Sequence, residues 1–303
     1  MKRKIIKQAG KAFTITLPVE WIRQNDLSEK SEIDLEIRDK SLVITSGRRV
    51  AGEKVKIDVN EASRRNIARI INALYARGVD EIEMLSAKDI SSVLSQLLNQ
   101  NLGYALVKQS GNSFVIRDIG GGSYQDLDEI FKRVFQIIIL FYESAINDIF
   151  GKEKETLESL RAREVEVNKF CLLLQRAINK LSYPDTTKGR ALFTYSFALE
   201  KISDEIHRLW RTNIENRNKV KKSGKLKELA LLSSEALGKS FDFYYQFNPE
   251  RVKEIYEIRT EAMEKAISFI RLDSYTAMFI RHIIKIAEDS ADLSHLALMM
   301  KLQ

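Results

Sequence analysis

The chain has almost no cysteine: Cys171 stands alone among 303 residues. One thiol cannot close an internal disulfide, and it cannot supply a cysteine-built zinc or iron–sulfur site. Proline is nearly as scarce, at Pro18, Pro184 and Pro249 only, and 13 glycines complete a small stock of turn formers. A sandwich of many short strands needs more punctuation than that, whereas long helices need little. Long apolar runs are missing too. The greasiest stretch, residues 137–142, lies between Arg133 and Glu143, far short of the ~20 apolar residues of a membrane-spanning helix. The uncharged run from Ile90 to Val107 is broken up by Ser, Asn and Gln. The opening MKRKIIKQAGKAF has neither the apolar centre nor the small-residue cleavage site of a secretory leader, so a cytoplasmic protein is expected.

What is present is the mix of a core-forming chain, 44% apolar and 30% charged, with a formal net charge of +7. The length exceeds what one hydrophobic core usually serves, so more than one domain is expected. The positive excess is concentrated at the start. Residues 1–50 hold 11 basic and 7 acidic side chains, and residues 1–19 hold five basic ones (Lys2, Arg3, Lys4, Lys7, Lys11) and no acid.

Hydropathy patterning divides the chain into three. Residues 1–50 read as small β structure: KIIK and FTITL suit strands, Pro18 takes the first position of a helical turn VEWIRQ, and SEIDLEIRDKSLVIT alternates as a hairpin turning at Asp39 and Lys40. So few large apolar side chains cannot make an adequate core alone, so this piece is expected to pair with a second copy. Residues 54–118 read as an α/β module: strand KVKIDV, a helix from Glu61 to Arg77 stopped by Gly78, strand VDEIEML, a helix over 88–99, and a hairpin turning at 110–112. The glycines at 119–123 lack the Lys-Ser/Thr of a P-loop and the spacing of a dinucleotide loop, and read as a linker.

From residue 124 onward the period is helical. Helices are expected at 124–151, 153–182, 187–216, 225–247, 249–271 and 273–301, with Pro184, Gly224 and Pro249 at the joints. The third and sixth carry Glu and Asp four residues apart, Glu200 with Asp204 and Glu288 with Asp292, and the two motifs are separated by 88 residues. A duplicated three-helix bundle follows, with repeats 124–216 and 225–303. The fold class expected is therefore α+β and multidomain: a β hairpin domain, a small α/β module, then a mostly α duplicated bundle.

Carboxylates at i and i+4 lie one above the other on a helix face and can converge on one cation. With acids from a facing helix, such pairs build metal sites inside bundles. The facing residues are expected on the second helix of each set: Glu164 and Asn168 in the first, Glu257 and Glu261, with Glu264 near, in the second. His207 and His295 each follow a motif Asp by three residues. The plainer reading of every such pair is a solvated helix face. At the start of the chain two readings also stand. The lysines of a paired hairpin would form one positive surface for a phosphate backbone, or would guard an edge strand against aggregation. A second basic cluster, Arg217 to Lys227, marks the joint between the helical sets, as a solvated linker or as a surface for an acidic protein partner.

RKIIKQAGKAFTITLPVEWIRQNDL with SEIDLEIRDKSLVI resembles the swapped-hairpin DNA-binding domain of AbrB and the MazE antitoxins: Gly-basic before a β-branched run, Pro, Glu two later, then a hydrophobic hairpin. The helical part resembles PhoU, a pair of three-helix bundles with E/D-xxx-D motifs. Archaeal-type phosphate uptake regulators join both parts in this order. The resemblance implies a homodimer swapped through residues 1–46 and bound to operator DNA through Arg3 or Lys4, Lys11 and Arg23. The place where that family often has two adjacent arginines carries Ile22 and Arg23. It implies a metal ion cluster, of iron, zinc or magnesium, on Glu200, Asp204, Glu288 and Asp292, opposed by Glu164 and Asn168 and by Glu257 and Glu261. It implies contacts with a phosphate transporter's ATPase or a sensor kinase. The function expected is a DNA-binding regulator of phosphate uptake and not an enzyme, the alternative being a protein–protein adaptor that restrains the transporter and uses its hairpin only to dimerise.

Overall fold

The computed structural model describes residues 2–8, 12–38, 41–46, 53–120, 127–152, 154–180, 187–217, 219–269 and 272–302. It divides into two compact units, Met1–Lys54 and Val55–Gln303.

In the first unit β1 (Ile6–Gln8) and β2 (Ala12–Thr14) pair antiparallel, with Ile6 opposite Thr14. The helix α1 (Val19–Gln24) follows Pro18, which occupies the N-cap at φ −62° and ψ 131° and not the first helical position. Proline disfavours helical geometry in the residue before it, so the ring closes off the strand and sets the helix start. Asn25 ends the helix, its Nδ2 donating to Trp21 O at 2.8 Å. β3 (Asp34–Arg38) and β4 (Ser41–Thr45) form the expected hairpin, with Leu35 opposite Ile44 and Ile37 opposite Leu42; its turn, at Asp39 and Lys40, lies outside the described residues. No described apolar side chain of this unit is buried. Ile5, Ile6, Phe13, Leu35 and Leu42 are exposed, and Ile37 is 82% exposed.

The second unit begins with a four-stranded sheet in the order β5 (Lys54–Asp58), β6 (Glu81–Leu85), β8 (Ser113–Asp118), β7 (Tyr104–Ser110). α2 (Arg64–Arg77) links β5 to β6, and α3 (Ser91–Leu98) links β6 to β7. Ser63 caps α2 by accepting from Asn66 N, and Gly78 ends it at φ +98°, a conformation that glycine adopts without a Cβ clash. Ile67, Ile71 and Tyr75 of α2 pack with Leu94 of α3 on Ile82, Met84, Phe114 and Ile116 of the sheet.

Six long helices follow: α4 (Leu127–Ile149), α5 (Leu157–Lys180), α6 (Thr187–Glu215), α7 (Gly224–Tyr245), α8 (Val252–Ile267) and α9 (Ser274–Lys301). α4, α5 and α6 pack on one another, as do α7, α8 and α9, and the sets join through α6 with α9 and α4 with α7. This is the duplicated three-helix order expected from the repeat, built around one continuous apolar core that includes Phe131, Tyr195, Trp210, Phe243 and Phe279. Serines tie α7 to α9: Ser233 Oγ donates to Ile283 O at 2.9 Å and Ser240 Oγ to Ser290 O at 2.6 Å.

The α/β module is packed onto this bundle. α5 lies against α2, and its Leu172 completes the module's core. Arg176, also on α5, is fully buried. Its Nη1 donates to Tyr75 O and Val79 O, both at 2.9 Å, and its Nη2 to Asp118 Oδ2 at 2.6 Å. The guanidinium also lies over the rings of Tyr75 and Tyr104, 4.8 and 5.0 Å from their centroids. It thereby caps the C-terminal carbonyls of α2 and neutralises a nearly buried carboxylate in one stroke. Asn179 Nδ2 adds a bond to Ala76 O at 2.7 Å, and Lys180 pairs with Asp80.

Candidate functional site

The first unit presents its basic side chains to solvent. Arg3 and Lys4 precede β1, Lys7 lies on it, and Arg23 sits in the last turn of α1; all four are exposed. None of the four pairs with a carboxylate among the described residues. Lys11, with Gly10 beside it, lies outside the described residues. Ile22, the neighbour of Arg23, is half-buried and contributes no charge. Long charged side chains on a thin two-hairpin scaffold whose apolar residues face outward make a surface that is complete only when the apolar part is covered.

In the bundle, α5 and α6 bring together the first set of candidate ligands. Glu200 is partly buried, and burial, then the neighbouring Asp204 charge, push its carboxyl above the ordinary range, with Gln175 opposing. Cys171 is fully buried on the facing side of α5; burial, with the charges of Glu200 and Asp204, holds its thiol well above its usual value. That thiol is an inert core group and not a nucleophile. The Asn168 side-chain oxygen is buried with no hydrogen-bond partner among the described residues. Glu164 is engaged by His207, Oε2 to Nε2 at 3.3 Å. Asp204 is engaged by Arg208, Oδ2 to Nη2 at 2.7 Å.

The second set is not its copy. Glu288 faces Arg259 of α8, Oε1 to Nη2 at 4.0 Å, and the Arg259 Nε is buried without a hydrogen-bond partner among the described residues. Lys285 Nζ holds Asp289 Oδ1 at 2.6 Å. That bond, with the Glu288 and Asp292 charges, raises the Lys285 ammonium. Asp292 itself is exposed, as is His295. Glu257 and Glu261, expected to oppose the motif, are exposed and line a shallow open hollow along α8 with Lys253, Tyr256, Thr260 and Glu264. On the inward side of α8, with Ile255 and Ala262, the charged residue is a cation, Arg259, which opposes the charge of Glu288.

Among the described residues no three His, Cys, Asp or Glu side chains converge as a metal-holding group. The donor set of the second repeat does not fit a metal cluster, because two cationic side chains occupy its electrostatic role. In the first repeat Glu200, Asp204 and Asn168 leave an electron-rich spot, but Arg208 and His207 already engage two of the four candidates.

A polar site that sequence reading missed joins the two repeats. Glu205 of α6 and His282 of α9 are both buried and bonded, Oε2 to Nδ1 at 2.6 Å, while Arg208 Nη1 reaches the other Glu205 oxygen at 2.5 Å. Burial pushes the Glu205 carboxyl up, but the His282 and Arg208 bonds outweigh it and the net shift is downward. Glu205 adjoins the motif Asp204, which is the one signal that pointed near it.

Residues 6–52 match the MazE family, described as antidote-toxin recognition MazE, bacterial antitoxin. That is the segment that carries the swapped-hairpin resemblance. Among solved structures, the phosphate transport system regulatory protein PhoU from Streptococcus pneumoniae is similar with a TM-score of 0.49 and 12% sequence identity. The similarity covers 58% of this chain and 93% of that one. No curated protein matches the chain. No helix among the described residues is long and apolar enough to cross a membrane.

Proposed function

We propose that the chain is a DNA-binding transcriptional regulator of phosphate uptake, in which the first unit dimerises and binds DNA and the helical bundle reports a signal from a partner protein. The observation that carries the DNA-binding part is the first unit itself. It matches the MazE family over residues 6–52, exposes Arg3, Lys4, Lys7 and Arg23 without acidic partners among the described residues, and leaves Phe13, Leu35, Ile37 and Leu42 uncovered. A second copy that covers those apolar residues brings two sets of basic side chains onto one surface, the electrostatic footprint of a duplex reader. Phosphate as the regulated nutrient rests on the PhoU-like motif order of the sequence, Glu200/Asp204 and Glu288/Asp292, on the third helix of each repeat. The cations set against Glu288 and Asp289 in the second repeat favour a protein signal over a metal one.

The test is fluorescence anisotropy of the full chain with the promoter upstream of its own gene against scrambled DNA of equal length, at two salt concentrations. Preference for the promoter, a steep loss of affinity with salt, and loss of binding in Lys4→Glu/Arg23→Glu support the reading. Equal binding to both DNAs, or none, sinks it and transfers the function to the adaptor alternative, which a pull-down of the transport ATPase would then examine.

A further inference from the structure

The segment from Asn216 to Lys227 holds six basic residues and no acid. It joins α6 to α7, and its contacts place it at one end of the bundle with the other two connections of that end. Arg217 Nη2 donates to Glu155 O at 2.7 Å, in the α4–α5 connection, and Lys225 Nζ to Ser268 O at 3.0 Å, at the end of α8. Lys221 N bonds Thr276 Oγ1 at 3.3 Å, at the start of α9.

Two carboxylates at this end, Asp148 and Asp273, are held by the fold, while Glu158 and Glu228 are exposed. Asp148 accepts from Lys154 N, Glu155 N and Trp210 Nε1 at 2.7, 3.1 and 2.8 Å. Asp273 caps α9 through Thr276 N at 2.9 Å, and Glu228 takes Lys265 at 2.6 Å. Lys222 is half-buried near Asp148, and Lys225 lies near Glu228, while two of the lysines also rest on aromatic rings. Lys219 bonds the Tyr275 hydroxyl and lies 4.8 Å from the ring centroid, and Lys225 lies 4.8 Å from that of Phe269. Lys221 and Lys227 are exposed and have no carboxylate partner among the described residues. Exposed apolar side chains sit at the same end: Leu157, Leu272, and Ile267 at 79% exposure.

We propose that this end of the bundle adsorbs to an anionic lipid surface, with the lysines at the headgroup phosphates and Ile267 and Leu272 in the acyl boundary. Polybasic segments gain attraction from each lysine near such a surface, and a few apolar side chains supply the second anchor that stable adsorption needs. Duplex DNA would use the charge but leave Ile267 and Leu272 in water. A protein interface would draw on arginine and aromatic anchors, and lysine is depleted in the cores of such interfaces. Here Arg217 is turned inward to a backbone carbonyl.

Co-sedimentation of the full chain with phosphatidylcholine vesicles, with and without phosphatidylglycerol, tests this. Binding is expected only with phosphatidylglycerol and is expected to fall with salt. Lys221→Glu/Lys227→Glu, two exposed positions whose change leaves the fold intact, should weaken it at least tenfold. Ile267→Asp should weaken it several-fold, and Lys4→Glu/Arg23→Glu should leave it unchanged. Absence of binding to phosphatidylglycerol vesicles at low salt overturns the proposal, as does binding indifferent to the Lys221/Lys227 reversal. Loss of binding in Lys4→Glu/Arg23→Glu overturns it too, because the basic first unit would then be the lipid contact.

Discussion

Arg176→Ala removes the guanidinium that pins the α/β module to α5, and its cost follows from what is left behind. Asp118, with a side chain 10% exposed, loses its ion-pair partner and, among the described residues, keeps the Gly120 N bond to its other oxygen. Breaking a buried pair on one side costs about 3–5 kcal/mol. The carbonyls of Tyr75 and Val79 each lose a charged donor at 2.9 Å but keep Gly78 N and the Tyr104 hydroxyl, so each loss is worth about 1 kcal/mol. These terms share one side chain and do not add. A net loss of about 4 kcal/mol is expected, a large part of the ~5–15 kcal/mol that holds a domain folded. Arg176→Lys should recover less than half, because one ammonium nitrogen replaces the two guanidinium nitrogens that serve the carbonyls and the carboxylate separately, and the stacking on Tyr75 and Tyr104 is lost. Urea unfolding followed by circular dichroism measures the loss. Hydrogen exchange locates it, with protection expected to fall first at the end of α2 and along β8. A loss under about 1 kcal/mol, or exchange rising evenly through α6 and α9, would refute the view that Arg176 carries this junction.

Three further outcomes are expected. Ile37→Asp, at the most exposed apolar position of the first unit, should convert a dimer to a monomer in sedimentation equilibrium; an unchanged mass would remove the pairing surface from this hairpin. Glu200→Gln should raise the melting temperature at pH 7. The folded carboxyl lies above its ordinary value of 4.5, so the folded chain holds the proton more tightly than the unfolded one. The stability Glu200 contributes is thus full below 4.5 and is lost as pH rises through the folded value. The gain from Gln should therefore shrink on acidification toward pH 4.5, and equal melting of the two proteins at pH 7 would contradict the reasoning. Asp148→Ala strips three donors of their acceptor at the α4–α5 connection and should cost about 2 kcal/mol in urea unfolding; an unaltered midpoint would show that water replaces the carboxylate.

Helix positions were legible because their punctuation is local: Gly78, Gly224 and Pro249 stop or start helices whatever surrounds them, and each observed helix ends within a few residues of its expected bound. The duplicated order was legible through the two Glu-xxx-Asp motifs, since a repeat is a property of the string itself. The site was less so. Arg176 stands in a stretch that reads as one more charged turn, and nothing nearby announces that its partners are Tyr75, Val79 and Asp118. Glu205 and His282 meet across 77 residues, a distance at which no helical period speaks. Glu257, Glu261 and Glu264 all share the chemistry expected opposite the motif, and the sequence does not tell which of them faces inward. Which face of α8 turns inward is decided by Ile255 and Ala262, both buried, and Arg259 lies between them on the same side.

Ser233 and Ser240 lie two turns apart on α7 and reach carbonyls the same two turns apart on α9. Two such bonds act like teeth on a rack. A slip of one helical turn, about 5.4 Å, would carry both hydroxyls past their acceptors at once and set side chains of different size against each other. α7 and α9 therefore do not act as pistons. Sliding is opposed at two points, so a displacement of α9 along its axis is expected to carry α7 with it.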